Sequence, residues 1–185
     1  MIFDQVHLPV LLIPLGPFYI GWVLAAQRLM PTDWTFYVGL LAMFPFLSVG
    51  TVLLNDAYDV QVDRLSQRKG RFASSRGSVA KERLHSLAAI FLISSVLIGR
   101  YASPDLALVI IVIAGMSVLY SVPPFQFSRR PGLDILTNMI AIGVLCTVAG
   151  WVLGTSEGIP PRVWLVTTAL GTGTFFLLPA LMDYE

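Results

Sequence analysis

The chain has 185 residues, of which 56% are hydrophobic and 12% charged, with a formal net charge of +1 at neutral pH. Soluble domains carry about 25% charged residues, so the deficit points to lipid rather than water as the main solvent. The near-neutral balance leaves no basic excess to neutralise phosphates, so no nucleic-acid partner is expected. The single cysteine, Cys146, lies in an apolar run. It has no partner for an internal disulfide and reads as a small packing residue.

A helix that crosses a hydrocarbon core about 30 Å thick needs roughly 20 apolar residues. Stretches free of Asp, Glu, Lys and Arg run over 5–27, 34–54, 84–99, 106–128, 135–156 and 163–182. They predict an all-α, polytopic transmembrane bundle of six spans in a single domain, 1–185. The first run follows Met1-Ile2-Phe3-Asp4-Gln5. That start is acidic, whereas a secretory signal has a basic one, so the run reads as a retained span. Pro9, Pro14 and Pro17 in the first run and Pro45 in the second predict distorted helices packed around something. The third run is short and is expected to reach Tyr101, with Arg83 and Arg100 snorkelling to the two interfaces. Pro and Gly mark the turns Met30–Asp33, Ser103–Asp105 and Gly158–Pro161.

Positive charge sets the orientation. With the N-terminus inside, the inner loops hold nine of the 12 Lys and Arg residues, and the outer side holds Arg28, Arg100 and Arg162. This is the asymmetry of a multi-pass protein whose basic loops are cytoplasmic. The loop 55–83, the Arg129-Arg130 loop and Asp183 then face one compartment.

The loop 55–83 opens on Asn55-Asp56-Ala57-Tyr58-Asp59-Val60-Gln61-Val62-Asp63. Asp56, Asp59 and Asp63 stand at i, i+3 and i+7, one face of a helix, and Asn55 lies four residues before Asp59. Like charges at that spacing repel, and holding them beside a bilayer is expensive unless they are paired. A divalent cation removes the penalty. Hard oxygen ligands suit Mg²⁺, which takes one or two protein carboxylates together with phosphate oxygens. Seven Lys and Arg in the same loop supply the complement that a bound diphosphate requires. Any one of these cations can equally be there for topology or for anionic lipid.

These residues carry a resemblance. Asn-Asp-x-x-Asp-x-x-x-Asp at the end of an early span resembles the first aspartate motif of the UbiA superfamily of intramembrane prenyltransferases. Tyr120 to Asp134, which contains Pro123-Pro124 and Arg129-Arg130, resembles that family's segment after the fourth helix. Leu181-Met182-Asp183-Tyr184-Glu185 stands where the family begins its second aspartate motif. The resemblance implies a bundle usually of nine spans, so six are present here. It implies Mg²⁺ as cofactor, a prenyl diphosphate as donor, and a lipophilic acceptor that is aromatic, quinone-like, porphyrin or lipid. In it Asn55, Asp56, Asp59 and Asp63 form the first metal site, with the three aspartates catalytic, and Asp183 starts the second. Arg64, Lys69, Arg71, Tyr120 and Arg129 contact the diphosphate. Ser128 stands where the family often has Lys, with Arg129 keeping the charge. The localisation implied is integral to a membrane, the cell membrane in a prokaryote.

Aromatics in the first two spans, Phe18, Tyr19, Trp22, Phe44 and Phe46, could face a carbocation, although packing is their commoner role. Asp134 and Asn138 could line a cavity or pair with Arg130, and capping or pairing is the favoured role. His7 and His85 fall on opposite sides of the membrane. The chain stops where a second motif would continue, which predicts little or no turnover by these residues alone. Two other functions fit an apolar chain with acids at a helix end. One is an ion-coupled transporter, whose acids usually lie nearer the midplane. The other is a non-catalytic membrane subunit.

Overall fold

The computed structural model describes residues 12–63, 81–130, 132–155 and 158–182. They form six helical units, numbered here α1 to α6. α1 is Leu15–Ala26. α2 is continuous through Trp34–Leu41, Ala42–Ser48 and Val49–Asp63. α3 is Lys81–Ala102 and α4 is Pro104–Ser121. α5 joins Leu133–Asn138, Met139–Leu145 and Cys146–Gly154, and α6 is Arg162–Met182. The six predicted spans correspond one to one with these units. By length and hydropathy, Trp34–Tyr58, Lys81–Ala102, Pro104–Ser121 and Leu133–Gly154 are each able to cross a membrane.

Local chemistry sets the ends. Ser103 caps α4, its hydroxyl accepting the Asp105 N–H at 3.2 Å, with Pro104 in the first turn where no N–H is needed. α4 ends at Ser121, short of the apolar stretch that runs to 128. Pro123 and Pro124 offer no N–H to continue it. The chain instead turns through a left-handed Gln126 (φ 41°) into the single 3₁₀ turn Phe127–Arg129. α3 runs past Tyr101, as expected, and includes both Arg83 and Arg100.

Two segments are wound more widely than an α-helix, with π-type turns: Ala42–Ser48 in α2 and Met139–Leu145 in α5. In α2 the cause is Pro45, which cannot donate and whose ring would strike the carbonyl four residues back in a tight turn. The loosened backbone is repaired by side chains. Ser48 Oγ donates to the Met43 carbonyl five residues back at 3.1 Å, and the buried Ser95 of α3 donates to the Ala42 carbonyl at 2.9 Å. In α5 the Cys146 thiol donates to the Ala141 carbonyl, also five back, at 3.3 Å.

Two clusters hold the bundle. One joins Phe18 and Trp22 of α1, Phe36 and Met43 of α2, Leu106 and Ile110 of α4, and Cys146 and Ala149 of α5. The other packs Val49, Leu53 and Ala57 of α2 on Leu84 and Ala88 of α3. α1 lies closest to the last part of α5, because glycine lets the backbones touch. A Cβ on Gly150 would stand 1.8 Å from the Phe18 carbonyl oxygen, and one on Gly21 would stand 2.0 Å from that of Thr147. Outside, Ile90, Ile93 and Leu97 make an exposed apolar stripe along α3. Such a face is expected where the solvent is lipid.

Candidate functional site

The same helix that packs Val49, Leu53 and Ala57 against α3 turns its opposite side to a cavity. Ser48, Thr51, Val52, Asn55 and Asp56 of α2 line it. So do Ile113, Met116, Ser117, Tyr120 and Ser121 of α4, and Thr137, Asn138, Ala141, Ile142 and Cys146 of α5. Ile13 and Pro14 border it ahead of α1, and Phe176 closes it from α6. Its volume is about 330 Å³. Both widened segments border it, through Met43, Leu47, Ala141 and Ile142. The looser turns of α2, where Pro45 lies, and of α5 therefore frame an opening between helices that pack tightly elsewhere.

The cavity has one polar end. Asp56, at 9% exposure, and Asn55 sit there on α2. Ser121 Oγ of α4 donates to Asn55 Oδ1 at 3.4 Å. Tyr120 donates its hydroxyl to Asp134 Oδ1 at 2.8 Å, and Asn138 Nδ2 donates to the same oxygen at 2.9 Å. Asp134 thus fixes two cavity-lining side chains, Tyr120 of α4 and Asn138 of its own helix α5. Its role is pairing, as expected, but with Tyr120 and Asn138. Arg130 donates instead to the Pro124 carbonyl at 3.0 Å.

A cationic rim adjoins this end. Arg129 Nη2 donates to the Tyr58 carbonyl at 3.3 Å and ties the α4–α5 connection to the acidic helix. Lys81 Nζ lies 4.6 Å from the centre of the Tyr58 ring, and the His85 ring meets its edge with centroids 4.9 Å apart. Positive groups of α3 and of the connection therefore gather around the turn that follows Asn55 and Asp56.

The structure brings together Asn55, Asp56 and Tyr120 of the residues expected from sequence, and places Arg129 beside them, outside the cavity lining. Asp59 and Asp63 are in helical backbone, but their side chains lie outside the described residues. Arg64, Lys69, Arg71, Asp183 and His7 also lie outside them. Among the described residues no group of three or more His, Cys, Asp or Glu stands ready to hold a metal. What Asn55 and Asp56 do supply is hard oxygen at the polar end of the cavity, a donor chemistry that fits Mg²⁺.

The aromatic residues divide differently from the cation-facing possibility. Phe18 and Trp22 are fully buried against Phe36, at ring distances of 5.6 and 4.8 Å, and Phe46 meets Phe91 at 5.7 Å. These are packing contacts. The aromatic rings that do line the cavity are Tyr120 and Phe176. Sequence reasoning also missed Ser48, Thr51, Ser117 and Thr137. The available signal was hydroxyl spacing, since Ser48, Thr51 and Asn55 stand at i, i+3 and i+7, and Ser117 and Ser121 at i and i+4.

The sequence pattern of the UbiA prenyltransferase family matches residues 15–185. A lycopene elongase/hydratase of Corynebacterium glutamicum is 27% identical over 169 residues, covering 87% of this chain and 53% of that protein. The lycopene elongase/hydratase of Haloarcula japonica is 31% identical over 152 residues, covering 75% and 48%. The chain spans about half the length of the curated relatives it matches. A solved structure of a UbiA homologue from Archaeoglobus fulgidus, bound to GPP and Mg²⁺, superposes with a TM-score of 0.81 at 24% identity. That match covers 100% of this chain and 64% of the other. The same homologue bound to DMAPP and Mg²⁺ gives a TM-score of 0.78, also at 24% identity, covering 96% and 62%.

Proposed function

Because this chain belongs to the UbiA prenyltransferase family, we propose that it transfers an isoprenyl group, within the membrane, from a prenyl diphosphate to a lipophilic acceptor. The observation that carries the reading is the cavity: hydrocarbon along most of its wall, with Asn55 and Asp56 at one end and a cationic rim beyond them. An amphipathic donor has the same two-ended chemistry.

Asn55 and Asp56 would hold Mg²⁺ with oxygen ligands. A helix steps about 100° per residue, so Asp59 and Asp63 fall by register inside the arc bounded by Asn55 and Asp56. They would extend the same ligand set, and Asp183 would begin the second aspartate motif. Mg²⁺, when bound, offsets the charge that builds on diphosphate as its bond to carbon breaks. Tyr120 and Asn138, fixed by Asp134, keep the polar end in one arrangement. Arg129 holds the α4–α5 connection to α2 beside it. Arg64, Lys69 and Arg71 would contribute positive charge to the diphosphate. The apolar wall excludes water from a reactive cation. The N-terminus and the acidic loop face the cytoplasm, where a charged donor is soluble.

The relatives' names point to lycopene as acceptor, and the DMAPP bound by the Archaeoglobus fulgidus homologue supports a C5 unit as the group transferred. A linear carotenoid is far larger than a cavity of about 330 Å³. Only its end group would enter, while the polyene stays in lipid. The test is to express the whole open reading frame in a lycopene-making host. Its membranes are supplied with labelled dimethylallyl diphosphate, with and without Mg²⁺. Label moving into carotenoid only with Mg²⁺ is the expected result. Label moving into a quinone or porphyrin instead would overturn the acceptor, and no Mg²⁺-dependent transfer to any lipid would overturn the reaction.

A further inference from the structure

One helical turn below Asn55, the cavity wall carries hydroxyls whose protons are already engaged. Thr51 Oγ1 donates to the Ser48 carbonyl at 2.9 Å, and Ser117 Oγ donates to the Ile113 carbonyl at 3.0 Å. A hydroxyl has one proton and two lone pairs, so each can only accept from the cavity.

The two hydroxyls share a level. α2 and α3 are antiparallel, since Ala42 meets Ser95 while the cluster of Leu53 and Ala57 meets Leu84 and Ala88. α3 and α4 form a tight hairpin at Ser103, so α2 and α4 run the same way. Ser121 of α4 meets Asn55 of α2. Thr51 and Ser117 lie four residues back in each helix, and an equal rise of about 1.5 Å per residue puts them opposite one another. Val52, Ile113 and Met116 make much of the wall around them hydrocarbon, with the Ser48 hydroxyl, also bonded to backbone, one turn further along α2.

A pair of acceptors in a hydrocarbon wall suits a small ligand that brings protons and keeps a lone pair free, which is water. Building on the prenyl-transfer reading above, we propose that Thr51 and Ser117 seat the water that ends the reaction as a hydration. The donor's carbon–oxygen bond breaks, and its C1 bonds to one carbon of an acceptor alkene, leaving a cation on the neighbouring carbon. Water, with its two O–H bonds directed at Thr51 and Ser117, gives its lone pair to that carbon. A C–O bond forms, and the released proton goes to the departing diphosphate. Prenyl diphosphate, alkene and water become a prenylated alcohol and diphosphate. Without the seated water the cation loses a proton and the product is an alkene. Thr51 and Ser117 are positioning residues, acting through the water they hold.

The experiment expresses the whole open reading frame with Thr51→Val, Ser117→Ala, both together, or Thr51→Ser, in a lycopene-making host. Membranes receive dimethylallyl diphosphate in ¹⁸O-water. The readout is the ratio of ¹⁸O-labelled prenylated alcohol to prenylated alkene. The double variant is expected to lower that ratio about tenfold or more, as loss of two hydrogen bonds to the water predicts, with Thr51→Ser restoring it. Thr167→Val, on an exposed hydroxyl of α6 that donates to the Val163 carbonyl, should leave the ratio alone. Transfer with an unchanged ratio in the double variant, or an equal fall in Thr167→Val, overturns the inference and leaves the transfer reading intact. Absence of both products from the unaltered protein overturns both.

Discussion

The α1–α5 seam and the cavity beside α2 and α5 both lie within apolar spans, yet one is closed and the other open. At the seam, Gly21 and Gly150 remove the side chains that would hold two backbones apart, and each glycine faces a carbonyl of the other helix. At the cavity, Pro45 and the widened turns at Ala42–Ser48 and Met139–Leu145 loosen the helices, and hydroxyls and the thiol of Cys146 repair the backbone. In lipid there is little hydrophobic drive between helices, so packing geometry decides where they touch. Glycine placement closes this bundle and π-type winding opens it.

The sharpest way to break that contrast is to put a methyl group into the seam. Gly150→Ala is expected to destabilise by about 3 kcal/mol or more, since the Cβ would meet backbone at 1.8 Å. Thermal unfolding in detergent, followed by size exclusion, measures it, and an unchanged midpoint would mean that α1 and α5 do not approach so closely. Next comes the cavity's polar end. Asp56→Asn keeps the shape but removes the charge, and should lower Mg²⁺-dependent prenyl transfer about a hundredfold while leaving the unfolding midpoint within a few degrees. Tyr120→Phe deletes the bond to Asp134 at a cost of about 1.5 kcal/mol. Combined with Asp134→Ala it should be less than additive, because both remove one interaction. The smallest effect is Gly115→Ala on α4, where nothing lies within 4 Å of an added Cβ. A gain of about 0.5–1 kcal/mol in helix stability is expected there, with opposite sign to Gly150→Ala.

Much of the bundle was readable in advance, because the bilayer imposes one length on each span. The six charge-free stretches map onto α1 to α6; the fourth overran, to 128, since apolarity continues past Ser121 while Pro123 and Pro124 end the helix, and of the first, 5–27, the described helix is Leu15–Ala26. Asn55 and Asp56 could be picked out because acids at a span's end are rare and their helical spacing is visible. Tyr120 was reached through the resemblance of its segment, and its partner Asp134 was read as a pairing group without the partner being known. Thr51 and Ser117 were passed over, because Ser and Thr in a membrane helix ordinarily bond to their own backbone and carry no signal of what they face.

The amino-acid sequence by itself determined the solvent, the number of helices, the face of α2 that carries its acids and the family to which the chain belongs. These follow from local quantities: charge density, run length and the 3.6-residue period. Only the tertiary structure decided that Phe18 and Trp22 pack while Tyr120 and Phe176 line the cavity, and that Ser121 meets Asn55 across 66 residues of chain. It also decided that the widened turns of α2 and α5 border the same space. Those facts depend on which helix lies beside which. That is set by glycine contacts, widened turns and side chains that meet only once the bundle has assembled.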